Sequence, residues 1–128
     1  MAQVTTLLTR AETVPKTQKS KISMNPIEKN IVDVFKTLLN RKLKVSELVL
    51  FGSRARGDAD PDSDLDVLVI VDDLSPEFEE YISDCAWEAG FEYGIVIVPV
   101  VFSRNEWENG PERYSLLAEA IKSEGVIL

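Results

Sequence analysis

Residues 51–71 read FGSRARGDADPDSDLDVLVIV, and this stretch decides both the fold and the chemistry. It continues the apolar residues Leu48, Val49 and Leu50 and has three parts. A small, basic segment, Gly52-Ser53-Arg54-Ala55-Arg56-Gly57, comes first; an acidic turn over 58–63, with Pro61 inside it, comes second. The third part is Asp64-Leu65-Asp66, which runs into the apolar residues 67–71. Side chains on a strand alternate between faces, so Asp64 and Asp66 share one face and Leu65 takes the other. At roughly 3.3 Å per residue the two carboxylates stand about 7 Å apart along the strand, able to converge on one divalent cation or on two neighbouring ones. Without a cation they repel, and one tends to keep its proton. Oxygen ligands suit Mg²⁺ or Mn²⁺, and Mg²⁺ is commonly held by one or two carboxylates together with substrate phosphates.

The basic segment supplies the phosphate side. Glycine lets the backbone approach a ligand closely. The Ser53 hydroxyl and the amides of a short helix start offer anion donors, and Arg54 and Arg56 add positive charge. Three other motif readings fail on chemistry. Gly52 and Gly57 have the Walker spacing, but Asp58-Ala59 follows where Lys and Ser or Thr are required. Asp58, Asp60 and Asp62 resemble the start of a calcium loop, yet Ser63 stands at the position needing Gly and Val69 at the position needing Glu. The chain has no Gly-x-Gly-x-x-Gly dinucleotide fingerprint.

Gly52-Ser53, Ala55-Arg56-Gly57 and Ser63-Asp64-Leu65-Asp66 together resemble the signature of the DNA polymerase beta-like nucleotidyltransferase superfamily. The nearest branch is the minimal nucleotidyltransferases, small prokaryotic proteins often paired as antitoxins with a helical toxin of the HEPN type. The resemblance implies an α+β fold, a small mixed sheet with helices packed on it. It also implies that Ser53 contacts a nucleoside triphosphate and that Asp64 and Asp66 bind the metals.

Size and composition agree with a small globular domain. The chain has 128 residues, 45% hydrophobic and 28% charged, which predicts one domain with its own core. The single cysteine, Cys85, excludes an internal disulfide, and the absence of histidine excludes His-based triads and zinc sites. No apolar run approaches the ~20 residues of a membrane span, the start lacks a secretory apolar core, and a cytoplasmic location is expected. A formal charge of −8 argues against a nucleic-acid-binding face.

Along the chain, residues 1–24 read as a separate arm: Arg10, Lys16, Lys19 and Lys21 face the single acid Glu12. Residues 25–128 form the expected domain. Asn25-Pro26-Ile27-Glu28 is a helix start with a cap, Pro at the first position and Glu at the third. Apolar residues at helical spacing continue it to about Asn40. Residues 48–51 form a short, wholly apolar strand covered on both faces, and 64–71 form a central second strand. Ser75-Pro76 opens a helix ended by Gly90, with Phe78, Ile82, Cys85 and Ala89 buried and Trp87 packed on a neighbouring helix. Residues 95–102 form a third strand, at an edge because Pro99 lacks a ladder donor. Ser103 and Glu106 cap a short helix, a last helix closes at Gly125, and 126–128 add an edge or pack beneath the sheet.

One feature departs from the family pattern. Members that catalyse carry a third carboxylate on the strand beside the Asp pair, and residues 95–102 contain no acid. Glu92 and Glu106 flank that strand, and Glu92 is the better candidate for a third metal ligand. The expected function is transfer of a nucleoside monophosphate from Mg-NTP, with ATP as donor, to a hydroxyl acceptor on a partner protein or a small molecule. The alternative is a nucleotide-binding but inactive partner module of the antitoxin kind.

Overall fold

In the computed structural model, residues 24–128 are described, so the arm expected over 1–24 lies outside the described residues except for Met24. The first helix among the described residues, α1 (Pro26–Asn40), starts where the sequence predicts. The Asn25 side chain accepts from the Glu28 amide at 2.8 Å, and Glu28 accepts from the Asn25 amide at 2.9 Å. Such reciprocal capping satisfies two donors that a helix start leaves open. Strand β1 (Val45–Phe51) follows, then the single-turn helix α2 (Ser53–Arg56) and strand β2 (Leu65–Val71). Helix α3 (Pro76–Phe91) leads to β3 (Ile97–Ser103), α4 (Arg104–Asn109), a 3-10 turn (Pro111–Tyr114), α5 (Leu116–Glu124) and β4 (Val126–Ile127).

The four strands form one mixed sheet in the order β3-β2-β1-β4. β1 runs antiparallel to both β2 and β4, while β2 and β3 are parallel, joined across α3. Pro99 thus sits on an edge strand, where its missing N–H leaves no central ladder broken. The last residues take the edge option, β4 pairing with Val49 and Leu50 of β1.

Both faces of the two central strands are buried, and they belong to different cores. Leu48, Leu50, Leu65, Val67, Val69 and Val71 face α1 and α3, whose Ile31, Phe35, Leu39 and Ile82 are fully buried. Val49, Phe51, Leu68 and Ile70 face the other way, against Ile121 and Leu117 of α5 and Trp107 of α4. Tyr81 ties α3 to α1 by donating from its hydroxyl to the Leu38 carbonyl at 2.5 Å. Cys85 lies in the first core as expected, and burial pushes its thiol above the usual range, which keeps it protonated and unreactive.

The strand bounds and Trp87 need correction: β2 begins at Leu65, which leaves Asp64 just before it, and β3 spans Ile97–Ser103 rather than 95–102. β1 begins at Val45 rather than Leu48, because the ladder to β2 continues, through an irregularity between Val45 and Glu47, past the end of the buried zone. There Ser46 donates to Asp72 at 2.7 Å. Trp87 does not pack on a neighbouring helix; it is 65% exposed and rests on Phe91 of its own helix, ring centroids 5.7 Å apart.

Candidate active site

The glycine segment and the acid pair meet at the ends of the two central strands. Phe51, the last residue of β1, pairs with Asp66 of β2. The chain therefore leaves β1 beside the point where the carboxylates enter the sheet. It turns at Gly52, whose φ of +80° places it in a region that suits glycine. A Cβ added at Gly52 would collide with the Asp66 carboxylate. Glycine is thus required twice over at this position, for the backbone angle and for the space Asp66 occupies. Gly57, with φ +85°, ends α2 in the left-handed region and donates to the Ser53 carbonyl at 3.0 Å.

Asp66 lies on the sheet face shared by Phe51, Leu68 and Ile70, the face covered by α5. Asp64, two residues earlier, is exposed. Burial raises the Asp66 carboxyl above its ordinary value, Asp64 raises it further and Glu124 also adds to the rise, while Arg56 opposes it. A half-buried carboxylate crowded by two others is electrostatically short of positive charge. A hard divalent cation with oxygen ligands fits that deficit and this donor set.

The two arginines of α2 part company. Arg56 stays at the surface, paired with Asp58 at 3.3 Å and with Glu124 at 3.2 Å. These two carboxylates hold its guanidinium above its ordinary value, through the hydrogen bond to Asp58 first. Arg54, expected on the phosphate side, turns inward instead and is 5% exposed. It donates to Glu28 at 2.8 Å, to the Pro61 carbonyl at 2.8 Å and to the Ser63 carbonyl at 2.7 and 2.9 Å. Its planar fork matches that set of acceptors. Ser63 in turn accepts from the Asp60 amide through its hydroxyl at 3.0 Å. Arg54 therefore shapes the acidic turn that leads into Asp64 and Asp66.

Glu92 is not brought to the acid pair. It caps the far end of α3 and lines a groove of about 750 Å³ with Val34, Trp87, Phe91 and Tyr93. Among the described residues no three acidic or cysteine side chains come together in an arrangement that could hold a metal. The position beside Asp66 on the neighbouring strand is Val98, its parallel register partner. Val98 is 37% exposed, a valine where a carboxylate would join the site.

Glu124 is the residue that the sequence reading missed. It ends α5, and its carboxylate accepts from the Gly52 amide at 2.9 Å while it pairs with Arg56. The two partners are 72 residues apart in sequence, and no local pattern links them.

Comparison with known proteins matches residues 29–128 to the family described as the nucleotidyltransferase domain. Three proteins of Methanocaldococcus jannaschii, each provisionally named a protein adenylyltransferase, are similar in sequence. One is 38% identical over 64 residues, 49% of this chain and 65% of its own length. The second is 42% identical over 55 residues, 42% of this chain and 55% of its own length. The third is 35% identical over 75 residues, 59% of this chain and 69% of its own length. The match thus spans less than two thirds of the first two relatives. A solved structure from Sulfolobus solfataricus, provisionally described as a nucleotidyltransferase, is 21% identical with a TM-score of 0.43, covering 87% of this chain and 84% of that one.

Proposed function

Since the chain belongs to the nucleotidyltransferase domain family, we propose that it transfers a nucleoside monophosphate from a nucleoside triphosphate, with ATP as donor, to a hydroxyl on a partner protein. The observation that supports this reading is the closeness of the Asp66 carboxylate to Gly52, an acid and the glycine segment side by side. The names of the archaeal relatives support adenylyl transfer to a protein as the particular form.

In this reading Asp64 and Asp66 hold Mg²⁺ or Mn²⁺, which would neutralise charge on the triphosphate. The Gly52 amide, the Ser53 hydroxyl and Arg56 take the β and γ phosphates, and Arg54 keeps the acidic turn in shape. The acceptor oxygen forms a bond to the α-phosphorus, the bond from that phosphorus to the β-bridging oxygen breaks, and pyrophosphate leaves. The acceptor proton passes to water, because Val98 occupies the position beside Asp66 on the neighbouring strand where a carboxylate base would stand. Positioning then supplies most of the rate. The test is incubation with α-labelled ATP, Mg²⁺ and candidate partner proteins, comparing wild type with Asp64→Asn. Labelling confined to the wild type is expected, and equal labelling by both overturns the reading.

A second reading is favoured by the exposed groove at the end of α3. Trp87 and Phe91 are 65% and 66% exposed, beside Tyr93 and Val34. A contiguous apolar patch of this kind marks a contact surface, and Asp84, Glu88 and Glu92 line the same groove with negative charge. With Val98 where a third ligand would stand, the protein would bind Mg-nucleotide and serve as an antitoxin-like partner of a helical, HEPN-type protein with a basic contact face. Calorimetry showing Mg-ATP binding without transfer to the co-purified partner favours this reading. Transfer lost in Asp64→Asn favours the first.

A further inference from the structure

Glu124 occupies a position that the transfer reading gives to a phosphate. Its Oε2 accepts from the Gly52 amide at 2.9 Å and stands 3.2 Å from an Arg56 nitrogen, and its side chain is 21% exposed. Both donors are ones that a triphosphate needs. A carboxylate and a phosphate oxygen make the same charge-assisted bonds to an amide and a guanidinium. Asp66, whose charge Arg56 offsets only in part, lies against Gly52. A negative group placed near Asp66 is held there by Gly52 and Arg56. We propose that Glu124 is a built-in competitor of the nucleotide: its carboxylate fills the Gly52–Arg56 anion seat in the free protein and must be displaced when the triphosphate binds, so that it sets the affinity for nucleotide.

The proposal rests on the phosphate assignment made above. Its structural consequence follows from the position of Glu124, the last residue of α5. Immediately after it, Gly125 leads into β4, which pairs with Val49 and Leu50 of β1 through Val126 and Ile127. Displacing Glu124 therefore loosens the junction between α5 and β4, and nucleotide occupancy is reported at that edge of the sheet. A rival role, Glu124 as a third cation ligand delivered from a helix, makes the opposite prediction about affinity.

Calorimetric titration of Mg-ATP into wild type, Glu124→Gln and Glu119→Gln separates these outcomes. Glu119 is an exposed glutamate of the same helix and controls for net charge. Glu124→Gln keeps the shape of the side chain and removes its charge, and it is expected to bind about tenfold more tightly, the size of a charge-assisted hydrogen bond that no longer has to be displaced. Glu119→Gln is expected to match wild type. In wild type, amide exchange at residues 125–128 should rise when nucleotide is added. Unchanged or weaker binding by Glu124→Gln overturns the proposal while leaving the transfer reading standing, and weaker binding makes Glu124 a cation ligand. Equal tightening in Glu119→Gln also overturns it, since the effect would then be general charge. Absence of binding by wild type and Glu124→Gln alike brings down the phosphate assignment together with the proposal.

Discussion

Arg54 and Arg56 stand two residues apart on one helix of a single turn, and they belong to different parts of the molecule. Arg54 is 5% exposed, and its nitrogens are bonded to Glu28 and to two carbonyls of the acidic turn. Arg56 has a side chain 47% exposed, and its two partners, Asp58 and Glu124, are reached by water. The difference teaches what each region is for. The inner side of α2 builds the site: it joins the start of α1 to the turn that presents Asp64 and Asp66. The outer side is the one that the proposed function assigns to ligand: its charge is held by surface partners that a phosphate can replace. Residue type alone assigns both arginines to phosphate; burial and partner geometry separate them.

The sharpest way to break this comparison is to remove Arg54. Arg54→Met leaves the Glu28 carboxylate buried beside an apolar side chain, and loss of one partner of a buried pair costs about 3–5 kcal/mol. For a domain of this size that lowers the melting temperature by roughly 10–20 °C. The double variant Arg54→Met/Glu28→Leu should recover only part of the loss: it removes the unpaired buried carboxylate, but it leaves the Pro61 and Ser63 carbonyls without their donor and the α1 capping box incomplete. Thermal melts of the three proteins check this; a melting temperature of Arg54→Met within a degree of wild type would place Arg54 with Arg56 after all. The Gly52→Ala variant comes next. Its Cβ needs a strained φ and meets the Asp66 carboxylate, so a cost of about 1–3 kcal/mol is expected. Mg-ATP binding should fall with it, because Asp66 has to move. Chemical denaturation and calorimetry measure the two effects separately.

The two regions also differ in how far the sequence discloses them. The frame was legible where a local rule acts alone. Asn25-Pro26-Ile27-Glu28 and Ser103 with Glu106 announce their helices because a capping box is complete within four residues. The alternation from Leu65 to Val71 splits β2 between the two cores because strand period is fixed, and it places Asp66 on the face of Leu68 and Ile70, while Asp64 lies just before the strand. Pro99 marks an edge strand because it lacks a donor. What the sequence hides is pairing over distance. Glu28 caps α1 and also reaches Arg54, 26 residues away, and a four-residue helix is too short for periodicity to say which arginine faces inward. Glu124 reads as the polar end of a last helix, and only the packing of α5 on the face of Asp66 brings it to Gly52. Glu92 is close in chain order to β3, the strand beside Asp66, yet α3 ends on the side of the groove that holds Trp87 and Phe91. The likeness to a known family could not repair these gaps, because its pattern covers the glycine segment and the acid pair and not the residues that brace them.

The remaining tests sharpen the outer side. Asp66→Asn should abolish transfer and yet raise the melting temperature at neutral pH by a few degrees in the absence of divalent metal. The sign follows from linkage. The folded-state carboxyl is raised, chiefly by burial and next by Asp64, so the folded state binds a proton more readily than the unfolded one. The resulting penalty is full above the raised pKa and disappears as pH falls through it toward the ordinary carboxylate range. The advantage of the asparagine variant should therefore shrink on acidification, and Mn²⁺ should shrink it at constant pH by stabilising the wild type. An advantage that persists unchanged down to pH 3 would mean that Asp66 is not the source of the penalty. The smallest structural effect is expected at Arg56. Arg56→Gln gives up two solvent-reached ion pairs of a kind that contribute little to stability, so the melting temperature should stay within a degree or two of wild type. The Gly52 amide can still hold Glu124, but the triphosphate loses its guanidinium, and Mg-ATP binding should weaken by roughly tenfold. Stability unchanged with affinity reduced is the reverse of the result expected for Arg54. A pair of arginines two residues apart that gave the same result in both measurements would remove the distinction between a side of α2 that builds and a side that binds.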